Sequence, residues 1–266
     1  MPDLNSAIRA GSYAQKQIFS RDSLVAWSHR RRFDTALRLA RGFQGRRVLD
    51  FGSGDGTFLA MLMMSAEAPA EGVGVDSSAH AVDDCRARYR AESRLSFAHV
   101  RELDSGAHLH RYDAVFCMEV LEHVVDWAPV LASLSRLLAL DGRLIISVPV
   151  EIGIPVMVKQ TARRVAGWRG IGHYPGTTSY SWAELLSAVF AGPRQHVVRP
   201  VFNKPDGQTH DHKGFNWKVL LEWLKGPFEV DRVLSSPVPM LGPSLATQVW
   251  FVARPRIAPA AGKLRP

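Results

Sequence analysis

A glycine-rich turn with acidic neighbours carries the strongest chemical signal in the sequence. Asp50 ends a short apolar run, and Gly52, Gly54 and Gly56 follow at alternate positions before a helix-forming segment begins. Glycines at this spacing let the backbone approach a ligand closely, while the free N–H groups of a helix start point outward. Asp76 ends the next β-type run, 20 residues after Gly56, where a carboxylate can accept both hydroxyls of a ribose. The pattern predicts a turn that binds a nucleoside-containing ligand.

Two carboxylates beside the glycines favour a cationic ligand over a pyrophosphate. Asp50 and Asp55 would repel the phosphates of a dinucleotide, whereas Asp50 suits a positively charged amino group. A nicotinamide-dependent enzyme is the alternative for this turn, because dinucleotide-binding folds share the glycine-rich device.

Four segments, this turn among them, resemble class I S-adenosylmethionine-dependent methyltransferases. Residues 48–57 are similar to the first motif of that family, residues 74–76 to the second, and residues 138–149 to the strand that follows a helix later in the family. The run Met-Glu-Val-Leu-Glu-His-Val at 118–124 is similar to the branch that contains ubiquinone and menaquinone biosynthesis methyltransferases and many glycan, lipid and natural-product methyltransferases. The resemblance implies S-adenosyl-L-methionine as the cofactor.

The same resemblance implies which residues contact the cofactor. The methionine portion is expected beside Asp50 and the glycines, the ribose on Asp76 and the adenine beside Ser77. After the third strand this branch commonly has an acidic or small polar residue near the adenine amine, and here either Arg101 or Glu102 stands in its place. The full set of implied cofactor contacts is Asp50, Gly52, Ser53, Gly54, Asp76, Ser77, Arg101, Glu102 and Met118.

His123 and Glu119 are the catalytic candidates. Methyl transfer from a sulfonium is an in-line displacement, so positioning supplies much of the rate. A general base helps only when the acceptor is a hydroxyl or a carbon acid. His123 follows the fourth predicted strand, and Glu119 or Glu122 could orient its ring. The alternative is that His123 only orders loops and that both glutamates cap a helix.

Residues 210–217 resemble a turn that faces the acceptor in glycan and lipid methyltransferases. The resemblance implies an acceptor-side role for His210 and His212, against the alternative of a capping and packing turn. Two histidines without a further clustered ligand are weak evidence for a metal, so no metal site is expected. His173 and Tyr174, in a stretch rich in Gly and Pro, are expected in the same lid.

The acceptor class follows from which patterns the chain lacks. DNA amino-methyltransferases typically carry a polar-Pro-Pro-aromatic turn after the fourth strand, and residues 117–120 read Cys-Met-Glu-Val instead. Cys117 lacks the preceding proline of cytosine-C5 enzymes, which favours a core position. We therefore expect direct transfer to an O, N or C atom of a small-molecule, sugar or lipid-linked acceptor. RNA methylation, NAD binding or a non-catalytic Rossmann-fold protein are the alternatives.

Alternating strands and helices have to position these residues. Short β-type runs and longer helical segments alternate from Arg46 to Pro149, which predicts a parallel sheet with helices on both faces. Two final β-type runs are joined by a link too short for a helical crossover, so they are expected to pair antiparallel at the sheet edge. The predicted fold is α/β: a doubly wound, Rossmann-like, mostly parallel seven-stranded sheet with an antiparallel C-terminal edge strand, an N-terminal helix and an inserted lid.

The domain organisation is predicted from changes in residue composition and periodicity along the chain. We expect a basic helical segment at 1–45, a cofactor-binding core at 46–150, an acceptor-binding lid at 151–227, a strand pair completing the sheet at 228–253 and a disordered basic tail at 254–266. Residues 1–47 hold ten Lys or Arg against three acidic residues. This basic segment is either a solvated helix face or a contact for an anionic partner such as a membrane surface.

The amino-acid composition limits which classes of protein this chain can belong to. The 266 residues are 46% hydrophobic and 22% charged, which is typical of a globular chain. No run approaches the roughly 18 apolar residues that would span a bilayer, so we expect no transmembrane protein. Two cysteines and the absence of a secretory pattern favour the cytoplasm, with peripheral membrane contact as an option.

Overall fold

A computed structural model describes residues 3–168, 178–195, 197–205, 207–243 and 245–256. His173 and Tyr174 lie outside the described residues, as do the last ten residues of the predicted tail.

Seven strands form one twisted sheet in this part of the chain, and two more form a separate hairpin. The strands are β1 (Arg47–Phe51), β2 (Glu71–Asp76), β3 (Leu95–His99), β4 (Tyr112–Met118), β5 (Leu138–Pro149), β6 (Val201–Lys204), β7 (Gly207–His210), β8 (Phe228–Ser236) and β9 (Gln248–Pro255). The order in the sheet is β3-β2-β1-β4-β5-β9-β8, and β6 pairs with β7. Strands β1 to β5 pair in parallel, while β9 runs antiparallel to both β5 and β8. The predicted fold class is confirmed.

The strand order determines where along the sheet edge a ligand can bind. From β1 the chain proceeds to β2 and β3 on one side, and then returns to β4 and β5 on the other. The helices therefore leave β1 and β4 in opposite directions, and a crevice opens at the carboxyl ends of these two strands. The glycine-rich turn follows β1, and the segment with Glu119 and His123 follows β4.

Helices cover both faces of the sheet. They are α1 (Leu4–Ala10), α2 (Ser23–Ala40), α3 (Thr57–Met63), α4 (Ala79–Arg88), α5 (Trp127–Leu137), α6 (Ile154–Trp168), α7 (Trp182–Val189) and α8 (Trp217–Leu224). Ser181 caps α7 in a reciprocal capping box with Glu184. Among the described residues, no helix combines the length and the apolar character that a membrane crossing needs.

Each central strand contributes to two hydrophobic cores, because successive side chains point to opposite faces of the sheet. Leu49 and Val115 pack in the core on the side of α5 and α8. Val48 and Phe116 pack in the core beneath the N-terminal helices and α3. Burial on both faces gives these strands the continuous apolar runs that made them recognisable in the sequence.

The segment between β5 and α8 contains structure that the sequence pattern did not predict. Helix α6 and the β6–β7 hairpin lie where we expected no regular elements. Every described residue of β6 is exposed, so the hairpin has no buried face that could impose an apolar alternation on its sequence. The residue pattern predicts a helix from about 127 to 140 and a strand from 143, whereas α5 ends at Leu137 and β5 already begins at Leu138.

Candidate functional site

The glycine-rich turn leaves an open cradle at the end of β1. Gly52 has φ +80° and lies so close to the β4 loop that a Cβ there would be 2.2 Å from Val120 Cγ2. Gly54 has φ +54°, and a Cβ there would meet no described atom within 4 Å. Both values lie in the left-handed region that glycine adopts without cost. The first glycine thus lets two loops meet, and the second leaves room for a ligand against the backbone.

Asp76 connects this turn to the end of β2. One carboxylate oxygen accepts a hydrogen bond from the Gly54 N–H at 2.9 Å, and the other accepts one from the Ser78 N–H, also at 2.9 Å. Each carboxylate oxygen has a further acceptor site. Asp76 therefore shapes the turn and can still accept ligand hydroxyls.

Asp50 is a buried carboxylate without a matching donor. It is 2% exposed, and its Oδ1 has no hydrogen-bond partner among the described residues. Burial, and then the charges of Asp76 and Asp55, raise the pKa of Asp50 to about 8. An orphaned carboxylate of this kind fits a positively charged group brought by a ligand.

Asp55 attaches the N-terminal segment to the turn. Its Oδ2 accepts hydrogen bonds from the backbone N–H groups of Tyr13 at 2.9 Å and Ala14 at 3.0 Å. Gly11 lies directly against the carboxylate, since a Cβ there would be 2.3 Å from Oδ2. The N-terminal segment is thereby held across the mouth of the cradle, a connection that sequence reasoning missed.

Arg32 enters the site from α2. It belongs to the basic run 29–32, for which we expected either a solvated face or an anionic partner, but Arg32 itself is 5% exposed. Its Nη1 lies 3.0 Å from Glu119 Oε2, and its Nη2 donates to His29 Nδ1 at 2.7 Å. The neighbouring Arg30 and Arg31 are exposed. The three arginines of the run therefore divide into one site residue and a solvent-facing pair.

Two pockets meet at this turn. The first, of about 210 Å³, is lined by Tyr13, Arg32, Asp50, Gly54 and Met118 among others. The second, of about 620 Å³, is lined by residues that include Asp76, Ser77, Val100, His123 and Thr209. Gly52 and Glu119 line both pockets. The predicted methionine-side residues thus surround the first pocket, and the predicted ribose and adenine-side residues belong to the second.

Glu119 is fixed at the junction by an uncommon backbone conformation. Its φ is +55°, and its N–H donates to the Ser147 carbonyl at 2.9 Å. The Ser147 hydroxyl donates to Glu119 Oε1 at 3.2 Å, and Arg32 binds the other oxygen. A non-glycine residue held in this region is often found at a functional site.

His123 lies in the turn between β4 and α5 with its ring oriented by the hairpin. Its Nδ1 is 2.9 Å from the His210 carbonyl oxygen, and the His210 N–H donates to the His123 carbonyl at 3.0 Å. Because a carbonyl only accepts, Nδ1 carries the proton and Nε2 of the neutral ring keeps its lone pair. Nε2 is 3.9 Å from Glu122 Oε1. The lone pair on a pocket wall is what a general base requires.

Glu122, His212 and His210 differ in how they relate to this ring. Glu122 is fully buried, and burial together with the charge of Glu119 raises its pKa well above the usual range. His212 packs edge-on against His123 with ring centroids 5.0 Å apart, and burial lowers the pKa of His212. The His210 ring instead bonds the Pro200 carbonyl at 2.8 Å. The fold thus brings His212 to His123 and turns the His210 side chain elsewhere.

Comparison with known proteins now identifies the family. The methyltransferase domain family matches residues 24–189, well over half of the chain. The chain belongs to this methyltransferase family. It is a class I S-adenosylmethionine-dependent methyltransferase, as its motifs predicted.

Relatives and solved structures agree with this membership. The methyltransferase is 34% identical over 199 residues to a ubiquinone biosynthesis O-methyltransferase of Serratia proteamaculans (strain 568), a match that covers 73% of this chain and 66% of that protein. It is 31% identical over 123 residues to the protein of the same name from Actinobacillus pleuropneumoniae serotype 7 (strain AP76), covering 44% of this chain and 51% of the relative. The methyltransferase thus spans about half the length of most of the curated relatives that it matches.

Solved structures show the same fold at low identity. The PH0226 protein from Pyrococcus horikoshii OT3 superposes with a TM-score of 0.58 at 15% identity, covering 92% of the methyltransferase and 97% of that chain. An S-adenosylmethionine-dependent methyltransferase from Aquifex aeolicus gives a TM-score of 0.53 at 12% identity, covering 94% and 97%.

Of the two cofactor contacts predicted after β3, Glu102 is engaged by neighbouring residues. Glu102 accepts the His99 N–H at 2.8 Å in a capping box and lies 3.2 Å from Arg86. Neither Arg101 nor Glu102 is among the residues that line the two pockets, and Val100 forms the wall at this point. The contact of Arg101 or Glu102 with the adenine amine stays a prediction.

Two tryptophans of the lid region, Trp182 and Trp217, are not among the residues that line the two pockets. Trp217 is buried and packs against Phe251, while Trp182 is 71% exposed. Cys117 is fully buried in the sheet, consistent with the core position that its sequence context favoured.

Proposed function

We propose that this methyltransferase binds S-adenosylmethionine across the two pockets and transfers the methyl group to a hydroxyl oxygen of a small acceptor. The orphaned Oδ1 of Asp50 and the empty space above Gly54 support binding of the methionine portion in the first pocket. Asp50 would accept the cationic amino group, because a buried carboxylate gains most from a positive partner.

Arg32 is the proposed partner of the cofactor carboxylate. It is the cation among the described residues that line the first pocket. Its guanidinium holds Glu119 at 3.0 Å, so a ligand carboxylate would share or replace that contact. Arginine suits this role because its donors form a fork that matches a carboxylate.

Asp76 and Ser77 are the proposed contacts on the nucleoside side. Both line the second pocket, with Val100 as an apolar wall beside them. The two Asp76 oxygens accept one backbone hydrogen bond each, which leaves acceptor capacity for both ribose hydroxyls.

The position of His123 is the observation that favours a hydroxyl as the methyl acceptor. When bound, the cofactor supplies an electrophilic methyl group on sulfur. An acceptor hydroxyl has to lose its proton as the oxygen attacks, and His123, a residue that lines the second pocket, keeps an unprotonated Nε2 that can receive it when its ring is neutral. Transfer breaks the carbon–sulfur bond and forms the carbon–oxygen bond, and the hydroxyl proton goes to the imidazole.

The second pocket favours a largely apolar acceptor. Six valines contribute to its wall, namely Val75, Val100, Val120, Val124, Val125 and Val130. The curated relatives are named ubiquinone biosynthesis O-methyltransferases. Together these features support a hydroxylated aromatic compound of the quinone-precursor class as the substrate.

Transfer of a labelled methyl group tests this proposal. The protein is incubated with labelled S-adenosylmethionine and a panel of phenols, sugars and amines, and the methylated atom is identified by mass spectrometry. We expect phenol O-methylation, with kcat about 10²-fold to 10⁴-fold lower in His123→Gln. His80→Gln, an exposed histidine on α4, is the matched control. Methylation of amines alone, or full activity of His123→Gln, would contradict the proposal.

A further inference from the structure

A third cavity lies apart from the cofactor crevice, between α2 and the last three strands in the order of the sheet. Its volume is about 540 Å³. Strands β5, β9 and β8 form one wall, and α2 with the 3₁₀ turn that follows it (Arg41–Phe43) contributes to the other. None of the described residues that line this cavity lines either pocket of the crevice. The proposed reaction therefore gives the cavity no role.

Three arginines give this cavity its chemical character. Arg38 comes from α2, Arg143 from β5 and Arg232 from β8, and the described residues of the wall include no aspartate or glutamate. Arg38 belongs to the basic segment for which the sequence left an anionic partner open. We propose that the cavity binds a small organic anion, with its carboxylate or phosphate group on these arginines and its apolar part against the sheet.

A β-bulge brings Arg232 to the cavity. Between Val230 and Arg232, β8 advances by two residues while β9 advances by one, from Ala253 to Val252. Residues two apart in a regular strand share a face, but here Val230 packs with the core on the side of α5, whereas Leu234 packs with the core on the opposite side. The extra residue thus turns Arg232 toward α2. Its guanidinium makes no hydrogen bond or ion pair within the described part of the chain.

The other two arginines are held in place by hydrogen bonds. Arg38 Nη2 donates to Thr35 Oγ1 at 2.9 Å, and Arg143 Nη1 donates at 3.0 Å to the backbone carbonyl two residues earlier. Asp231 Oδ2 lies 3.7 Å from Arg143 Nε, while its Oδ1 lies 3.5 Å from Arg254 Nε, so one carboxylate is shared between two cations. The cavity therefore keeps an excess of positive charge that an anion would neutralise.

Most of the remaining wall is apolar. The apolar side chains come from both sides of the cavity and are Leu39, Phe43, Ile145, Leu234, Pro239 and Val252. Ile145 and Val252 are register partners in neighbouring strands and are 1% and 5% exposed. A bare phosphate ion would leave this surface without contacts, and a neutral apolar compound would leave the arginines without a partner. An anion with an apolar body complements both parts of the wall.

The arginines suit a carboxylate and a phosphate equally, because a guanidinium forms paired hydrogen bonds with either group. Four probes separate the contributions of the charge and of the apolar part. Octanoate and octyl phosphate share the apolar part and differ in the charged group. 1-Octanol lacks the charge, and inorganic phosphate lacks the apolar part.

Calorimetric titration of the full chain with each probe, below the concentration at which it forms micelles, tests the proposal. We expect saturable, submillimolar binding of at least one octyl anion and much weaker binding of 1-octanol and inorganic phosphate. Arg38→Gln and Arg232→Gln should each weaken binding about fivefold, and the double variant should weaken it by more than about tenfold. Circular dichroism confirms that each variant is folded.

Two variants serve as matched controls. Arg31→Gln removes an exposed arginine of α2 that does not line the cavity, and Lys204→Gln removes a cation that lines the second pocket. Both should bind the octyl anions as the wild type does.

Binding of an octyl anion that is lost in the double variant supports the site, and the more tightly bound of the two anions identifies the charged group. Absence of saturable binding by the folded wild type, equal binding by the double variant, or equal binding of 1-octanol would overturn the proposal. Weakened binding in Lys204→Gln but not in the double variant would also overturn it, because the anion would then lie in the second pocket. Methyl transfer enters none of these outcomes, so this site and the proposed function are tested separately.

Discussion

Cofactor affinity is expected to rise with pH, because Asp50 must lose a proton before it can pair with a cationic amino group. Burial, and then the charges of Asp76 and Asp55, raise the pKa of Asp50 to about 8. The cofactor-free protein therefore keeps this proton at neutral pH. A positive partner favours the carboxylate, so binding releases the proton.

The size of the effect follows from the pKa. Removing the proton at pH 7, one unit below a pKa of about 8, costs about 1.4 kcal/mol, which weakens binding about tenfold relative to the ionised carboxylate. Between about pH 6 and pH 7, the logarithm of Kd should fall by nearly one per pH unit. An α-amino group with a pKa of about 7.7 to 8.0 stays largely charged over this range, so it does not mask the slope.

Isothermal titration calorimetry with S-adenosylmethionine at several pH values measures this slope. Buffers with different ionisation enthalpies report the proton released on binding. Asp50→Asn should bind more weakly at neutral pH and show almost no slope, whereas Asp34→Asn, an exposed acid on α2, should behave as the wild type. A wild-type Kd that is constant from about pH 6 to pH 7.5, without proton release, would refute the assigned role of Asp50.

Three further predictions follow from the N-terminal contacts and the buried charge. In Gly11→Ala the new Cβ would lie 2.3 Å from Asp55 Oδ2 in the glycine-rich turn, so the variant should bind the cofactor about tenfold more weakly. Gly42→Ala, with open space around its Cβ, should bind as the wild type does, and equal Kd values for the two variants in calorimetry would contradict this prediction. Asp50 has a higher pKa in the folded chain than its usual 3.8, so its contribution to stability should fall by about 1.4 kcal/mol per pH unit between about pH 5 and pH 7, and thermal melts should show this difference between the wild type and Asp50→Asn. The exposed Arg30 and Arg31 should promote sedimentation with anionic lipid vesicles at low salt, so changing both to Glu should abolish it; unchanged sedimentation would exclude this face as the contact.

The sequence predicted the central sheet and the cofactor turn because both signals are local. The central strands β1 and β4 are buried on both faces and read as short apolar runs between turn residues. The glycines and Asp50 act within one turn, and Asp76 lies in the next strand of the same βαβ unit. Local spacing therefore placed most of the predicted cofactor residues in the crevice.

The remaining features depend on contacts between distant segments. Arg32 has the sequence surroundings of a surface arginine, and only the anchoring of the N-terminal segment by Asp55 brings it to Glu119. The exposed β6–β7 hairpin has no apolar alternation, yet it orients His123 through the His210 carbonyl. The proximity of His212 to Glu122 and His123 likewise joins two segments that are far apart in the sequence.

The central claim is that the two pockets at the ends of β1 and β4 bind S-adenosylmethionine. Its most direct test is calorimetric titration of the purified chain with S-adenosylmethionine and, separately, with NAD, using Asp76→Ala as the control. We predict micromolar binding of S-adenosylmethionine that is lost in Asp76→Ala, and no binding of NAD. Binding of NAD instead, or of neither compound by the folded chain, would contradict the account.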